Sequence, residues 1–151
     1  MVWKPRVTVA AVIENDGKFL LVEEDTGQLP HTVFNQPAGH LEEGESLINA
    51  VIRETLEETG YDFTPTALVG IYRWIEPDSG ETFLRFAFTG TAVQYYPDHP
   101  LDDGIVGPRW LSMEEILALN ESLRSPLVEQ CIRDHQAGRR SPLTLLEDVP
   151  S

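Results

Sequence analysis

The segment "RETLEETG", Arg53 to Gly60, sets Glu54, Glu57 and Glu58 within about a turn and a half of helix beside one cation, Arg53. Carboxylates so crowded repel one another, and either a solvated surface or a bound cation can offset that. Helical spacing separates the two. At about 100° per residue, Leu47, Ile48, Ala50, Val51, Ile52 and Leu56 sweep a wide apolar arc, leaving Asn49, Arg53 and Glu57 on a narrow polar strip. Glu54 and Glu58 continue the stripe begun by Leu47 and Val51, so they are expected to face protein. A carboxylate there is costly unless it is paired or metal-bound. An Arg53–Glu57 pair at i,i+4 accounts for Glu57 on a wet surface but leaves Glu54 and Glu58 unexplained. Oxygen donors on adjoining turns suit a hard divalent cation such as Mg2+, which keeps several waters and shares its shell with substrate phosphates.

The elements that must position these acids are legible from local patterns. A helix is expected from about Ser46 to Thr59, stopped by Gly60 and preceded by the turn-rich stretch "AGHLEEGES". "RVTVAAVIE" and "KFLLVEED", separated by "NDG", read as a hairpin. "HTVFNQP" is a short extended piece, and "ALVGIYRWI" and "TFLRFAFTGTAV" are two long strands joined by "EPDSGE". "GIVGPRWLS" is a last strand. Ser112 and Glu115 have the spacing of a capping box before "MEEILALN", and Ser125-Pro126 starts a further helix running to about Gln136. No repeat or internal linker is visible. This order predicts an α/β (α+β) chain, a mixed sheet with helices packed on it, as a single domain over residues 1–151.

Composition removes several classes. A formal net charge of −14 argues against nucleic acid as a partner, which needs a basic footprint. Cys131, the only cysteine, excludes an intrachain disulfide and is read as a buried, inert thiol. The first residues, "MVWKPRVTVAAVIEN", lack the pattern of a signal peptide, and no apolar run approaches the roughly 20 residues that span a bilayer. A soluble, cytoplasmic monomer acting on a small molecule, with no membrane, is the expectation. The chain shows no G-x-x-x-x-G-K-[ST] phosphate loop, no Ser-His-Asp signal and no D-x-[DN]-x-[DN]-G calcium loop.

From Gly39 to Tyr61, "GHLEEGESLINAVIRETLEETGY" sets Gly39, Glu45, Arg53-Glu54, Glu57-Glu58 and Gly60 in a fixed order. In that order and those gaps the chain resembles the Nudix hydrolase family. Its one departure is Thr55, where the family usually has an aliphatic residue. The resemblance implies a Nudix-type α/β/α sandwich. It also implies metal ligation by Glu54, Glu57, Glu58 and the backbone carbonyl of Gly39, and water activation by Glu54 in some members. Mg2+ is the implied cofactor, with Mn2+ able to substitute. Gly44, Glu45 and Gly60 are then structural parts of the box, and Arg53 is an orienting clamp whose fork can hold a carboxylate such as Glu45. "NQPAGHLE", "FLRFAF", "RWLSMEEIL" and "LRSPLVEQCIR" further resemble the subgroup of small bacterial phosphatases of the NudJ type. What that implies is hydrolysis of nucleoside di- and triphosphates, and of the hydroxymethylpyrimidine pyrophosphate precursor of thiamine, with release of inorganic phosphate. A pyrophosphohydrolase releasing pyrophosphate is the alternative, ahead of a non-catalytic nucleotide sensor.

For the substrate's organic part, Tyr72 and Trp74 share one strand face, opposite Ile71, Arg73 and Ile75. Trp74 suits stacking on a flat ring and equally suits core packing; Arg85 suits either phosphate or a surface ion pair. Asp102 and Asp103 are the nearest acids to the position where many Nudix proteins carry an extra loop acid. The histidines are dispersed, with His40 beside the acidic helix's loop.

Overall fold

The computed structural model describes residues 1–151. β1 (Arg6–Val12) is buried along most of its length, with Val9 through Val12 at 1% exposure or less, so it needs cover on both faces and strands on both edges. It gets them from β5 (Ala38–His40), antiparallel, and β7 (Thr82–Tyr95), parallel; β7 in turn pairs antiparallel with β6 (Tyr61–Ile75) at the sheet edge. A second sheet is built on β3 (Lys18–Glu24), which pairs antiparallel with β2 (Glu14–Asn15), β4 (Val33–Asn35) and β8 (Ile105–Ser112).

This corrects the expected hairpin. Only Glu14 and Asn15 pair with the start of β3, around a turn in which Asp16 and Gly17 both take positive φ, 51° and 76°. β1 itself belongs to the other sheet. β6 also begins earlier than its apolar pattern, directly after Gly60. Register shifts at Asp62/Phe63, Pro65/Ala67 and Leu68/Gly70 break the alternation that would have revealed it, and Pro65 is tolerated because the strand is an edge.

The period of two sends neighbouring side chains into two separate cores. Val9, Ala11, Leu20 and Phe88 pack with Ala50 and Val51 of α1 (Leu47–Thr59). Val12, Phe19, Leu21 and Ala87 pack with Ile116 of α2 (Met113–Leu119) and with Val128, Cys131 and Ile132 of α3 (Pro126–Gln136). The β layer therefore lies between α1 and the α2/α3 pair, the expected α/β/α sandwich. Helix ends follow local chemistry. Ser46 Oγ accepts from Asn49 N, Gly60 closes α1 at φ 77°, both bonds of the Ser112–Glu115 box form, and Ser125 caps α3 with Pro126 in its first turn. Cys131 is fully buried. No helix is long and apolar enough to cross a membrane.

Candidate active site

α1 carries the acids as its wheel predicts. Glu54 and Glu58 are 9% and 8% exposed, on the side of the helix that faces the sheet. Thr55 fits the buried face because its hydroxyl is spent on the helix itself, donating to Val51 O at 2.7 Å. Arg53 is the organising cation. Its Nε and Nη2 donate to the two oxygens of Glu45, each at 2.8 Å, a bidentate fork. Nη1 reaches Glu54 Oε1 at 2.8 Å and Glu57 Oε2 at 3.1 Å, and Nη2 also meets His40 O at 3.2 Å. The hydrogen bonds from Arg53 hold the Glu45 carboxyl below the usual carboxylate range, and those to Glu45 and Glu54 hold the Arg53 proton above its ordinary value. One guanidinium thus fixes three carboxylates at once.

A fourth acid arrives from a distant loop. One oxygen each from Glu54, Glu57 and Asp102 lie within 4.8 Å of one another. Asp102 is placed by its backbone N–H, which donates to Glu57 O at the helix end (3.1 Å). Glu58 lies outside this trio and accepts from Ala38 N at 2.8 Å. Burial pushes the Glu58 carboxyl up to about 9, with the charges of Glu24, Glu54 and Asp102 adding to it against the Ala38 N–H. Burial raises Glu54 too, against the pull of Arg53. An all-oxygen set of crowded, desolvated carboxylates is the chemistry that a hard divalent cation satisfies, so the residues present fit one. Backbone approach completes the cradle. A Cβ on Gly39 would lie 2.1 Å from Glu54 Cδ and 2.4 Å from both its oxygens, so only glycine lets the chain run against that carboxylate. Gly44 lies in the exposed turn before α1.

The other side of the β layer holds an open cleft of about 420 Å³ between Trp74 and the start of α3, lined also by Asn120, Leu123, Arg124 and Glu129. Trp74 is half-buried against Phe83, ring centres 6.0 Å apart. Tyr72 shares its strand face but is committed elsewhere: its hydroxyl donates to Asp134 of α3 at 2.7 Å and its ring packs on the second core. Arg85 is neither a surface pair nor aimed at an open groove. It is 5% exposed, with Nη1 on Gln36 Oε1 at 2.8 Å and Nη2 on Asn35 Oδ1 at 3.1 Å. Glu24, which burial pushes up, is paired with Arg124.

Residues 4–131 match the NUDIX domain family. The chain belongs to the Nudix family. It is 46% identical, over 97% of its length and 93% of theirs, to curated proteins called Phosphatase NudJ from Escherichia coli (strain K12) and Shigella flexneri. It is also similar to the solved structure of a NUDIX hydrolase from Nitrosomonas europaea, with a TM-score of 0.93 and 53% identity over 97% of this chain and 98% of that one. A MutT protein from Methanosarcina mazei Go1 shares the fold at a TM-score of 0.70 and 25% identity, covering 92% of this chain and 99% of its own. The protein is accordingly a Nudix hydrolase of the NudJ-like kind, acting on phosphoanhydrides.

Within the Nudix box, tertiary structure brings together Gly39, Glu45, Arg53, Glu54 and Glu57, and sets Glu58 beside them on Ala38. Of the two candidate loop acids, it selects Asp102. Sequence reasoning missed Arg124, which lines the cleft, its partner Glu24, and the amides Asn35 and Gln36 that hold Arg85. For Asn35, Gln36 and Arg124 the only signal was that "NQPAGHLE" and "LRSPLVEQCIR" carry the NudJ-type wording, and Glu24 had none.

Proposed function

We propose that this Nudix hydrolase uses Mg2+, or Mn2+ in its place, held by Glu54, Glu57 and Asp102 with Glu58 behind them. It hydrolyses nucleoside di- and triphosphates and the hydroxymethylpyrimidine pyrophosphate precursor of thiamine, releasing inorganic phosphate. The observation that carries this reading is the trio of carboxylate oxygens within 4.8 Å, oriented by one arginine. When bound, the cation offsets the charge on the phosphate oxygens and lowers the pKa of a water. The chain's own residues do the rest. Arg53 engages Glu54 Oε1 and leaves Oε2 without a protein partner, and that oxygen takes the proton of the attacking water. Trp74 holds the flat organic part in the cleft. Residues 1–151 act as one domain, a cytoplasmic monomer, with Gly44 and Gly60 shaping the box.

The test is turnover of nucleoside di- and triphosphates and of the pyrimidine pyrophosphate, with and without Mg2+, measuring phosphate and pyrophosphate separately. Metal-dependent release of phosphate is expected. Release of pyrophosphate would move the reading to a pyrophosphohydrolase, and no turnover of any substrate would refute it.

Two variants probe the parts. Arg53→Lys keeps the charge but cannot fork onto Glu45 while bonding Glu54 and Glu57, so kcat should fall about ten- to a hundredfold. Wild-type kinetics in that variant would show that the guanidinium geometry is irrelevant. Trp74→Ala removes a stacking face worth roughly 1–3 kcal/mol, so KM should rise about ten- to a hundredfold with kcat much less affected. An unchanged KM in a folded variant would place the ring elsewhere.

A further inference from the structure

Arg85 presents a physical problem that the reading above does not use. Its guanidinium is buried beside the second core, and no carboxylate lies within ion-pair distance of it. Its Nε is the one buried side-chain nitrogen or oxygen in the chain without a hydrogen-bond partner. A buried cation needs a compensating group. What Arg85 touches is two amide oxygens, Gln36 Oε1 and Asn35 Oδ1, beside the Cys131 thiol, while Glu58 and Glu24 act on it only from beyond ion-pair distance.

The two amides differ at their far ends. Gln36 Nε2 is spent on Val128 O at 2.8 Å, which locks Gln36 between β7 and α3. Asn35 Nδ2 has no partner in the chain, and it is not among the buried unpaired atoms, so it opens to solvent. Because Arg85 can only donate, the amide oxygen of Asn35 must face it, and the NH2 end must face away. Asn35 is therefore a donor held in one orientation and polarised by the cation behind it.

Its place along the chain gives that donor a target. Phe34, one residue before, bridges Leu123 and accepts the Arg124 backbone N–H at 2.8 Å, and both of those residues line the Trp74 cleft. Ala38 and Gly39, just after, touch Glu58 and Glu54. Along the chain Asn35 lies between the residue that meets the cleft's lining and those that meet the acids, so we take the phosphate chain to pass it when the ring lies on Trp74 and the reacting phosphorus at Glu54 and Glu57. We propose that Asn35 donates from Nδ2 to an anionic oxygen of the substrate's phosphate chain, and that Arg85 is a positioning residue acting through Asn35. The choice of an anion follows from Asn35's orientation: with the Arg85 cation behind its oxygen, the polarised NH2 end donates more strongly to a charged oxygen than to a neutral ring atom. The inference rests on the function proposed above.

The experiment is steady-state kinetics with the nucleoside triphosphate that wild type hydrolyses fastest, together with Mg2+ titration of the substrate-free protein and thermal melting. Asn35→Ala should lower kcat/KM about ten- to a hundredfold, the scale of a hydrogen bond to a charged group, with Mg2+ affinity unchanged and Tm lowered because Arg85 Nη2 loses its acceptor, the protein remaining folded at the assay temperature. Asn35→Asp keeps an oxygen for Arg85 but turns an acceptor toward the phosphates, so its loss should be larger still. Arg85→Lys should cost a similar factor alone and nothing more in the Asn35→Ala background. Wild-type kcat/KM in Asn35→Ala would overturn the proposal. Additive losses in the double variant would overturn the positioning role, because Arg85 would then touch substrate itself. If Arg85→Lys does not fold, the two Asn35 variants decide alone. A wild type without any turnover would instead refute the hydrolase reading, and this inference with it.

Discussion

Glu54→Gln is expected to abolish most turnover, with kcat falling about a thousandfold, while the protein stays folded. Two losses combine there. The amide offers one neutral oxygen where the carboxylate offers an anionic ligand, and it removes the proton acceptor, whose role alone is worth roughly 10²–10⁴ in rate. The fold should tolerate the change because Gln has the same shape and Glu54 is 9% exposed in a carboxylate-crowded site. Removing a buried charge there relieves desolvation and repulsion, so Tm should hold or rise. Glu57→Gln should weaken Mg2+ binding in the same direction with a smaller effect on kcat, because Glu57 is a ligand in this reading and not the proton acceptor. The measurements are kcat at saturating Mg2+ and calorimetric Mg2+ titration of each folded variant. Near-wild-type turnover of either variant at limiting Mg2+ would sink the metal assignment.

Gly39→Ala tests the same site from the backbone side. The added methyl would overlap the Glu54 carboxylate, 2.1 Å from Cδ, and its three nearest neighbours all belong to that side chain. Glu54 is the far end of a flexible side chain, so it can swing away at little cost to stability, and in doing so it leaves Arg53, Glu57 and Asp102. A loss in kcat of about a hundredfold is expected, since a misplacement of about 1 Å costs on that order. The contrast between activity and Tm is the informative part. If the variant keeps both activity and stability, the close approach of Gly39 to Glu54 has no functional meaning. If it unfolds, Gly39 serves the β5 pairing with Val9 instead.

The helices and the box were legible in the sequence because their determinants are local. Ser46, Gly60, Ser112, Glu115, Ser125 and Pro126 satisfy backbone groups within a few residues, and each behaves in the structure as its type predicts. The inward direction of Glu54 and Glu58 followed from a period of 3.6 alone, and their burial agrees. The alternation of Tyr72 and Trp74 against Ile71, Arg73 and Ile75 was equally readable, because a strand's faces are set by its own pleat.

Long-range pairing decided the rest. "RVTVAAVIE" and "KFLLVEED" carry the same turn signal whether they form one hairpin or feed two sheets. Only the demand of Val9 to Val12 for strands on both edges sends β1 to β7 and β5. Asp102 reaches the acids through a backbone bond to Glu57, a contact across a loop that no spacing encodes. The strand containing Arg85 reads the same whether its side chain meets solvent, phosphate or protein, and Asn35 and Gln36 fix which only once the two sheets are side by side. The sequence by itself determined the helix and the inward direction of its acids, because those features are set within a turn or two of chain. Tertiary structure alone decided which loop acid joins them and which side of Arg85 is in use, because those groups lie many residues apart and meet only when the packed cores bring them together.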